Sequence, residues 1–178
     1  MKYNTSIFWF RRDLRLHDNH GFFNALTESK SVVPIFIFDT SILNELDEED
    51  RRVSLLFDKL NELNKELSEH GKKIHVMHGK PSDVIDSIYA IKPFEACYTN
   101  TDYEPYARQR DDEIKQSLQA KGVEFHSFKD QVIFEKDDIL TDQGNPYGVF
   151  TPYMKKWKSK FKISMIQPYA SQDLLDRC

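Results

Sequence analysis

Glycine is scarce in this chain, six among 178 residues, and none of the six builds a G-x-G-x-x-G or P-loop string after the first apolar run. Such strings let backbone N–H groups close around phosphates at the start of a helix. Without them, a Rossmann-type NAD site or an NTPase site has little support. G-x-S-x-G and H-E-x-x-H are missing too, and with them the signatures of a hydrolase elbow and a zincin. Any small-molecule site must therefore be built from side chains and ordinary turns.

Cysteine is as sparse. Cys97 lies inside an apolar run and Cys178 is the last residue, which argues against a disulfide framework and for two free thiols in a reducing, cytoplasmic setting. No apolar run approaches the roughly 18 residues that cross a bilayer. The start of the chain, Met1 to Ser6, lacks the basic region, apolar stretch and small-residue cleavage site of a signal peptide. A basic excess is absent as well: 25 Lys and Arg against 29 Asp and Glu leave a formal charge of -4. Nucleic-acid platforms usually carry a clear positive surplus, so little or no DNA binding is expected of this stretch by itself. A chain of this length buries a core without covalent staples.

What is present is alternation. Short β-rich runs at Thr5–Phe10, Ser31–Phe38, Lys73–His78, Ala96–Thr99 and Glu124–Phe128 are separated by amphipathic segments at Asn19–Glu28, Arg51–His70, Pro81–Ala90 and Tyr106–Ala120. In the second of these, Val53, Leu56, Leu60, Leu63 and Leu67 recur at helical spacing before Gly71. The pattern predicts an α/β fold: a three-layer, Rossmann-like, doubly wound sheet of five parallel strands with right-handed crossovers. The order 3-2-1-4-5 follows by analogy with such folds. Residues 1–130 form this core, 131–162 an irregular segment with one further helix near Val149–Phe161, and 163–178 a polar, loop-like linker.

Chemistry concentrates at strand ends. Arg11, Arg12, Asp13 and Arg15 follow the first strand, Asp39 ends the second, and Asp102 and Glu104 follow the fourth. In an open α/β sheet the carboxyl ends of the strands flank the ligand crevice where strand order reverses. The competing reading of Asn100–Asp111 is a helix start with acidic residues, Pro105 in its first turn and locally paired arginines. His75 and His78, three apart on a strand, point to opposite faces and read as solvated histidines rather than metal ligands. Lys155–Lys162, the only basic run, reads as a solvated helix face in preference to a DNA contact.

Three blocks carry a resemblance. Trp9-Phe10-Arg11-Arg12-Asp13-Leu14-Arg15 with Asp18-Asn19, then Asp102-Tyr103-Glu104-Pro105-Tyr106 with Arg110-Asp111, then Gly144-Asn145-Pro146-Tyr147-Gly148-Val149-Phe150-Thr151-Pro152-Tyr153 with Trp157, resemble the amino-terminal antenna domain of the DNA photolyase and cryptochrome family. They span essentially residues 5 to 161. The resemblance implies a light-harvesting domain of a deoxyribodipyrimidine photolyase, whose full-length form repairs ultraviolet-induced pyrimidine dimers by electron transfer from reduced FAD. In the family, FAD and the surface for damaged DNA belong to a helical carboxyl-terminal domain beyond this chain. The chain alone is then expected to be non-catalytic, and Trp9 and Trp157 read as packing rather than as part of a redox relay.

The resemblance also bears on the antenna. Folate-binding members carry an Asn-Glu pair where this chain has Tyr106-Ala107, so a deazaflavin or flavin is favoured over methenyltetrahydrofolate. Carried over residue by residue, the expected contacts are Phe10, Arg11, Phe36, Phe38, Asp39, Arg52, Asp102, Glu104 and Arg110. Aromatic side chains would give a flat slot and the charged groups would fix the polar edge. The alternatives are a stand-alone α/β domain for a flavin or nucleotide, and the antenna domain of a cryptochrome photoreceptor.

Overall fold

The computed structural model describes all 178 residues. Its centre is a five-stranded, wholly parallel sheet, as the alternation predicts, and its order is the 3-2-1-4-5 expected by analogy. The strands are β1 (Tyr3–Phe10), β2 (Ser29–Asp39), β3 (His75–Gly79), β4 (Ala96–Asn100) and β5 (Glu124–Phe128). Helices α1 (His20–Glu28) and α3 (Arg51–Ser68) supply the side chains packed on one face, α4 (Pro81–Ile91) and α5 (Pro105–Ala120) those on the other. A short α2 (Thr40–Leu43) follows β2, and α6 (Phe150–Lys160) stands near the end of the chain.

Side-chain alternation in β1 divides the core. Phe8 and Phe10 join Phe22, Leu26, Leu60, Leu63 and Leu67 under α1 and α3. Ile7 and Trp9 join Ile35, Ile37, Ile85, Ile114 and Leu118 under α4 and α5. A central parallel strand is covered on both faces, hence the unbroken apolar run Ile7-Phe8-Trp9-Phe10. Burying each of these large side chains stabilises the fold by roughly 1.5–3 kcal/mol.

Helix starts follow their sequence signals. Asn19 caps α1 by accepting the Phe22 N–H, and Asp50 caps α3 through the Arg52 N–H. Pro81 and Pro105 open α4 and α5, where a missing N–H costs nothing.

Residues 163–178 differ from the polar linker expected of their composition. The 3-10 segment Ser171–Arg177 folds back on the core, with Ser171 and Leu175 buried. Its anchors are sparse and specific: the Ser171 hydroxyl donates to the Leu16 carbonyl, the Asp18 N–H donates to the Tyr169 carbonyl over 3.0 Å, and the Tyr169 ring stacks on His20 at 4.2 Å. One buried leucine in sixteen residues produces no periodicity to read. The periodic stripe of α3 is also only half used: Leu60, Leu63 and Leu67 are buried, while Val53 and Leu56 are partly exposed.

Candidate functional site

The reversal of strand order falls between β1 and β4, and there the crevice is filled. Asp13 turns back beneath the end of β1, where its carboxylate accepts the Arg11 N–H at 2.9 Å and the Asn19 amide at 3.2 Å. It also accepts from the Asn100 side-chain amide. Asn100, the last residue of β4, donates to Asn19 Oδ1 at 2.8 Å and accepts the Gly21 N–H at 2.8 Å. Asp13, Asn19 and Asn100 are buried, and no buried side-chain polar atom in the chain lacks a partner. Gly21 is required at this point: a Cβ there would sit 2.6 Å from Asn100 Oδ1 and 3.0 Å from the Thr99 carbonyl. Asp13 and Asn19 therefore clamp β1, β4 and α1 together, a role distinct from ligand binding.

Beside this clamp runs a chain of charge. Arg11 binds Asp111 through two bonds of 2.7 and 2.8 Å and donates to the Asn100 carbonyl. Asp111 is also 3.2 Å from Arg110, which in turn lies 3.6 Å from Asp39. Asp39 accepts the Tyr106 hydroxyl at 2.7 Å and the Ser41 N–H at 3.0 Å. The two guanidiniums lie over the same indole, Trp9, at 5.0 and 4.7 Å from its ring centroid. Trp9 is thus core below and a cation–π platform above. Burial and the adjacent Asp39 carboxylate both raise the pKa of the Tyr106 phenol above its ordinary value, so it remains a proton donor throughout the neutral range.

The outer end of this chain opens into a pocket of about 170 Å³ lined by Ser41, Lys80, Ser82, Tyr106, Gln109, Arg110 and Glu113. Typical small-molecule pockets measure about 300–1,000 Å³. This one has room for one edge of a tricyclic ring, not for the whole ring. Its donor set suits that edge: a carboxylate accepts from a ring N–H, and a guanidinium and hydroxyls donate to ring carbonyls. The residues present thus fit the polar edge of a flavin-type chromophore, with Arg110, Tyr106 and Ser41 on the pocket wall and Asp39 directly behind Tyr106 and Arg110 as the groups that would hold it.

The structure brings together Arg11, Asp39 and Arg110 of the expected residues. It places the others elsewhere. Phe10, Phe36 and Phe38 point into the α1/α3 layer and are 0, 5 and 6% exposed, on the opposite face from the pocket; Phe38 stacks on Phe57 at 4.7 Å. Arg52 is exposed and bound to Asp50 at 2.6 Å. Asp102 and Glu104 face Arg12, at 3.3 and 3.7 Å. Tyr106 and Ser41 were not among the expected contacts. Tyr106 belongs to a block that carries the resemblance and marks the departure from the folate pattern, but neither feature assigns it a contact, and Ser41 carries no sequence signal. His75 and His78 are both exposed strand residues.

These features define a doubly wound α/β domain with a polar ligand edge at the carboxyl ends of its strands. The chain belongs to the DNA photolyase family: the DNA photolyase family model matches residues 6–172. A deoxyribodipyrimidine photo-lyase from a Synechococcus strain is 35% identical over 156 residues, covering 88% of this chain and 32% of that protein. An uncharacterized protein from another Synechococcus strain is 33% identical over 94% of this chain and 59% of its own length. Among solved structures, a bacterial class III photolyase from Agrobacterium tumefaciens superposes with a TM-score of 0.83 at 25% identity, covering 96% of this chain and 34% of that one. An archaeal photolyase from Sulfolobus tokodaii, whose structure has two FAD molecules and implies a novel light-harvesting cofactor, superposes at 0.74 with 30% identity over 92% of this chain and 35% of that one. The chain spans about a third of the length of the photolyases it matches. No helix is long and apolar enough to cross a membrane.

Proposed function

We propose that this chain is the light-harvesting domain of a deoxyribodipyrimidine photolyase and holds a flavin or deazaflavin antenna by its polar edge at Asp39, Tyr106 and Arg110. One observation carries the reading: a phenol and a guanidinium of α5, Tyr106 and Arg110, line one pocket at the carboxyl edge of the sheet, and the Asp39 carboxylate at the end of β2 lies directly behind both, joined to them by a hydrogen bond and an ion pair. The related Sulfolobus protein, with its two FAD molecules, supports a flavin-type occupant over a folate. So does the chemistry of the site, in which Tyr106-Ala107 supplies neither the amide nor the carboxylate of the Asn-Glu pair. The bound group supplies strong absorption of near-ultraviolet and blue light.

In this reading the chain's own residues do three things. Asp39 accepts from the ring, Arg110 and Tyr106 fix its orientation, and the Trp9 platform with Asp111 holds Arg110 in place. Repair of pyrimidine dimers, with FAD and ultraviolet-damaged DNA as cofactor and substrate, belongs to the full-length photolyase. Two free thiols support a reducing, cytoplasmic setting. The test is fluorescence titration of the chain with riboflavin, a deazaflavin and methenyltetrahydrofolate. Saturable quenching by the flavins at lower concentration than by the folate is expected, and tighter folate binding overturns the choice of chromophore. Illumination of a dimer-containing oligonucleotide with this chain and reduced flavin should leave the dimer intact.

A further inference from the structure

On the far side of α5 from the antenna pocket, a groove of about 590 Å³ runs between α5, β5 and the 3-10 turn Lys136–Asp138. Arg108 and Lys115 reach it from α5, two helical turns apart on one face, and Lys136 reaches it from the turn. None of the three makes an ion pair, although carboxylates are plentiful nearby. The reason is that those carboxylates are already engaged. Asp102 is held by Arg12 and Asp111 by Arg11 and Arg110. Beside Lys136, Glu135 accepts the Tyr103 hydroxyl at 2.6 Å, and Asp138 accepts Lys129 Nζ at 2.7 Å and the Glu135 N–H at 2.9 Å. Of the three carboxylates that line the groove, Asp102, Asp111 and Asp112, Asp112 alone lacks a cation partner; Asp137, next to Lys136, does not line it.

Lys136 is notable in a second way. Its φ is +45°, a left-handed conformation that a lysine seldom adopts. The bonds to Glu135 and Asp138 hold the turn in that shape. A strained backbone that delivers an unpaired cation to a groove calls for a function. Thr101 and Ser127, whose hydroxyls are hydrogen-bonded to each other at 2.9 Å on the same wall, leave one neutral O–H donor between them.

We propose that this groove binds a compact phosphate-bearing ligand, a diphosphate group for which Arg108, Lys115 and Lys136 supply the cations. A guanidinium and two ammonium groups suit the clustered charge of a diphosphate. The acidic balance of the whole chain, -4, opposes long-range attraction of a polyanion, so a small phosphorylated molecule is favoured over a nucleic-acid strand. The proposal stands apart from the antenna reading, since Arg108, Lys115 and Lys136 do not line the pocket of Tyr106 and Arg110.

The test is calorimetric titration of the 178-residue chain with inorganic pyrophosphate, ADP and an unphosphorylated DNA oligonucleotide. Saturable one-to-one binding of pyrophosphate and ADP is expected, with Arg108→Gln, Lys115→Gln and Lys136→Gln each weakening it roughly three- to tenfold. Lys136→Gly, which removes the cation while relieving the left-handed backbone, should weaken it as Lys136→Gln does in a chain at least as stable. Lys155→Gln, on α6, should leave it unchanged. Absence of saturable pyrophosphate binding overturns the proposal. So does undiminished binding in the triple Gln variant, or oligonucleotide binding tighter than pyrophosphate with Lys155 contributing as much as the groove cations.

Discussion

Tyr106 donates its hydroxyl to Asp39 over 2.7 Å across 67 positions of sequence, tying the start of α5 to the end of β2. Arg110, one turn along the helix, meets the same carboxylate. Two residues of one helix thus read one strand end, and the pocket exists because that helix starts where it does. Pro105 fixes that start.

Arg110 is 9% exposed at its side chain and bridges two carboxylates, Asp39 and Asp111. Asp39 keeps Tyr106 and Ser41 in its absence, and Asp111 keeps Arg11. Arg110→Gln should therefore lower stability by about 2 kcal/mol, less than the 3–5 kcal/mol of an orphaned buried charge. Urea denaturation measures it; a loss below about 0.5 kcal/mol would show the pair to be solvent-screened.

The clamp between β1 and β4 should be far less tolerant. Asn100→Ala removes donors to Asp13 and Asn19 and the acceptor of the Gly21 N–H, a loss of about 3 kcal/mol or more when a buried carboxylate is left short of donors. Gly21→Ala drives a Cβ into Asn100 and the Thr99 carbonyl, and overpacking of this kind typically costs about 1–3 kcal/mol. Neither change touches the pocket, so flavin affinity measured on whatever fraction folds should be unaltered.

Leu175 tests whether the end of the chain is part of the core. At 2% exposure, its truncation to alanine should cost about 2–4 kcal/mol. Thermal unfolding that is unchanged in Leu175→Ala would mean that Ser171–Arg177 contributes nothing to the fold.

His126 should give the fold a pH dependence in the weakly acidic range. Burial holds its imidazole below the ordinary value of 6.5, and its Nε2 lies 2.8 Å from the Tyr3 hydroxyl. The unfolded chain then binds the proton first, so stability is full above about pH 6.5 and falls as the pH drops towards the folded value. His75, held low by partial desolvation and by the neighbouring Lys73 and Lys92, adds in the same direction. The carboxylates held below their ordinary values, Asp86, Glu95, Glu124 and Asp138, lose their contribution only at still lower pH. A melting temperature that declines between pH 7 and 5, and declines less in His126→Gln, is expected; equal slopes in the two proteins would assign the effect elsewhere.

The fold was legible in the sequence because its signals are local. Strand alternation, the helical spacing of apolar residues and prolines in first turns each act within a few residues, and they suffice for a doubly wound parallel sheet; the order 3-2-1-4-5 follows by analogy with such folds. The site was legible only in part. Sequence places Arg11, Asp39, Asp102, Glu104 and Arg110 at one sheet edge, which is where they are. It does not tell which cation each carboxylate chooses: Arg12 takes Asp102 and Glu104, while Arg110 takes Asp39. Nor does it assign faces at the strand ends, so Phe36 and Phe38 read as slot walls although both point into the α1/α3 core. Asp13, in the most charged stretch of the chain, reads as a ligand-side group and is instead part of the interior clamp with the helix cap Asn19, since partner choice in a buried network depends on a residue 81 or 87 positions away.

The central claim is that Asp39, rather than Asp102, holds the polar edge of a flavin-type antenna, and a comparison of Asp39→Ala with Asp102→Ala in one fluorescence titration against a deazaflavin tests it most directly. Loss of a charged acceptor to the ring should weaken binding roughly tenfold or more in Asp39→Ala, with Asp102→Ala close to the parent chain because its carboxylate serves Arg12. Equal affinity of Asp39→Ala and the parent chain, or a larger loss in Asp102→Ala, would contradict the account.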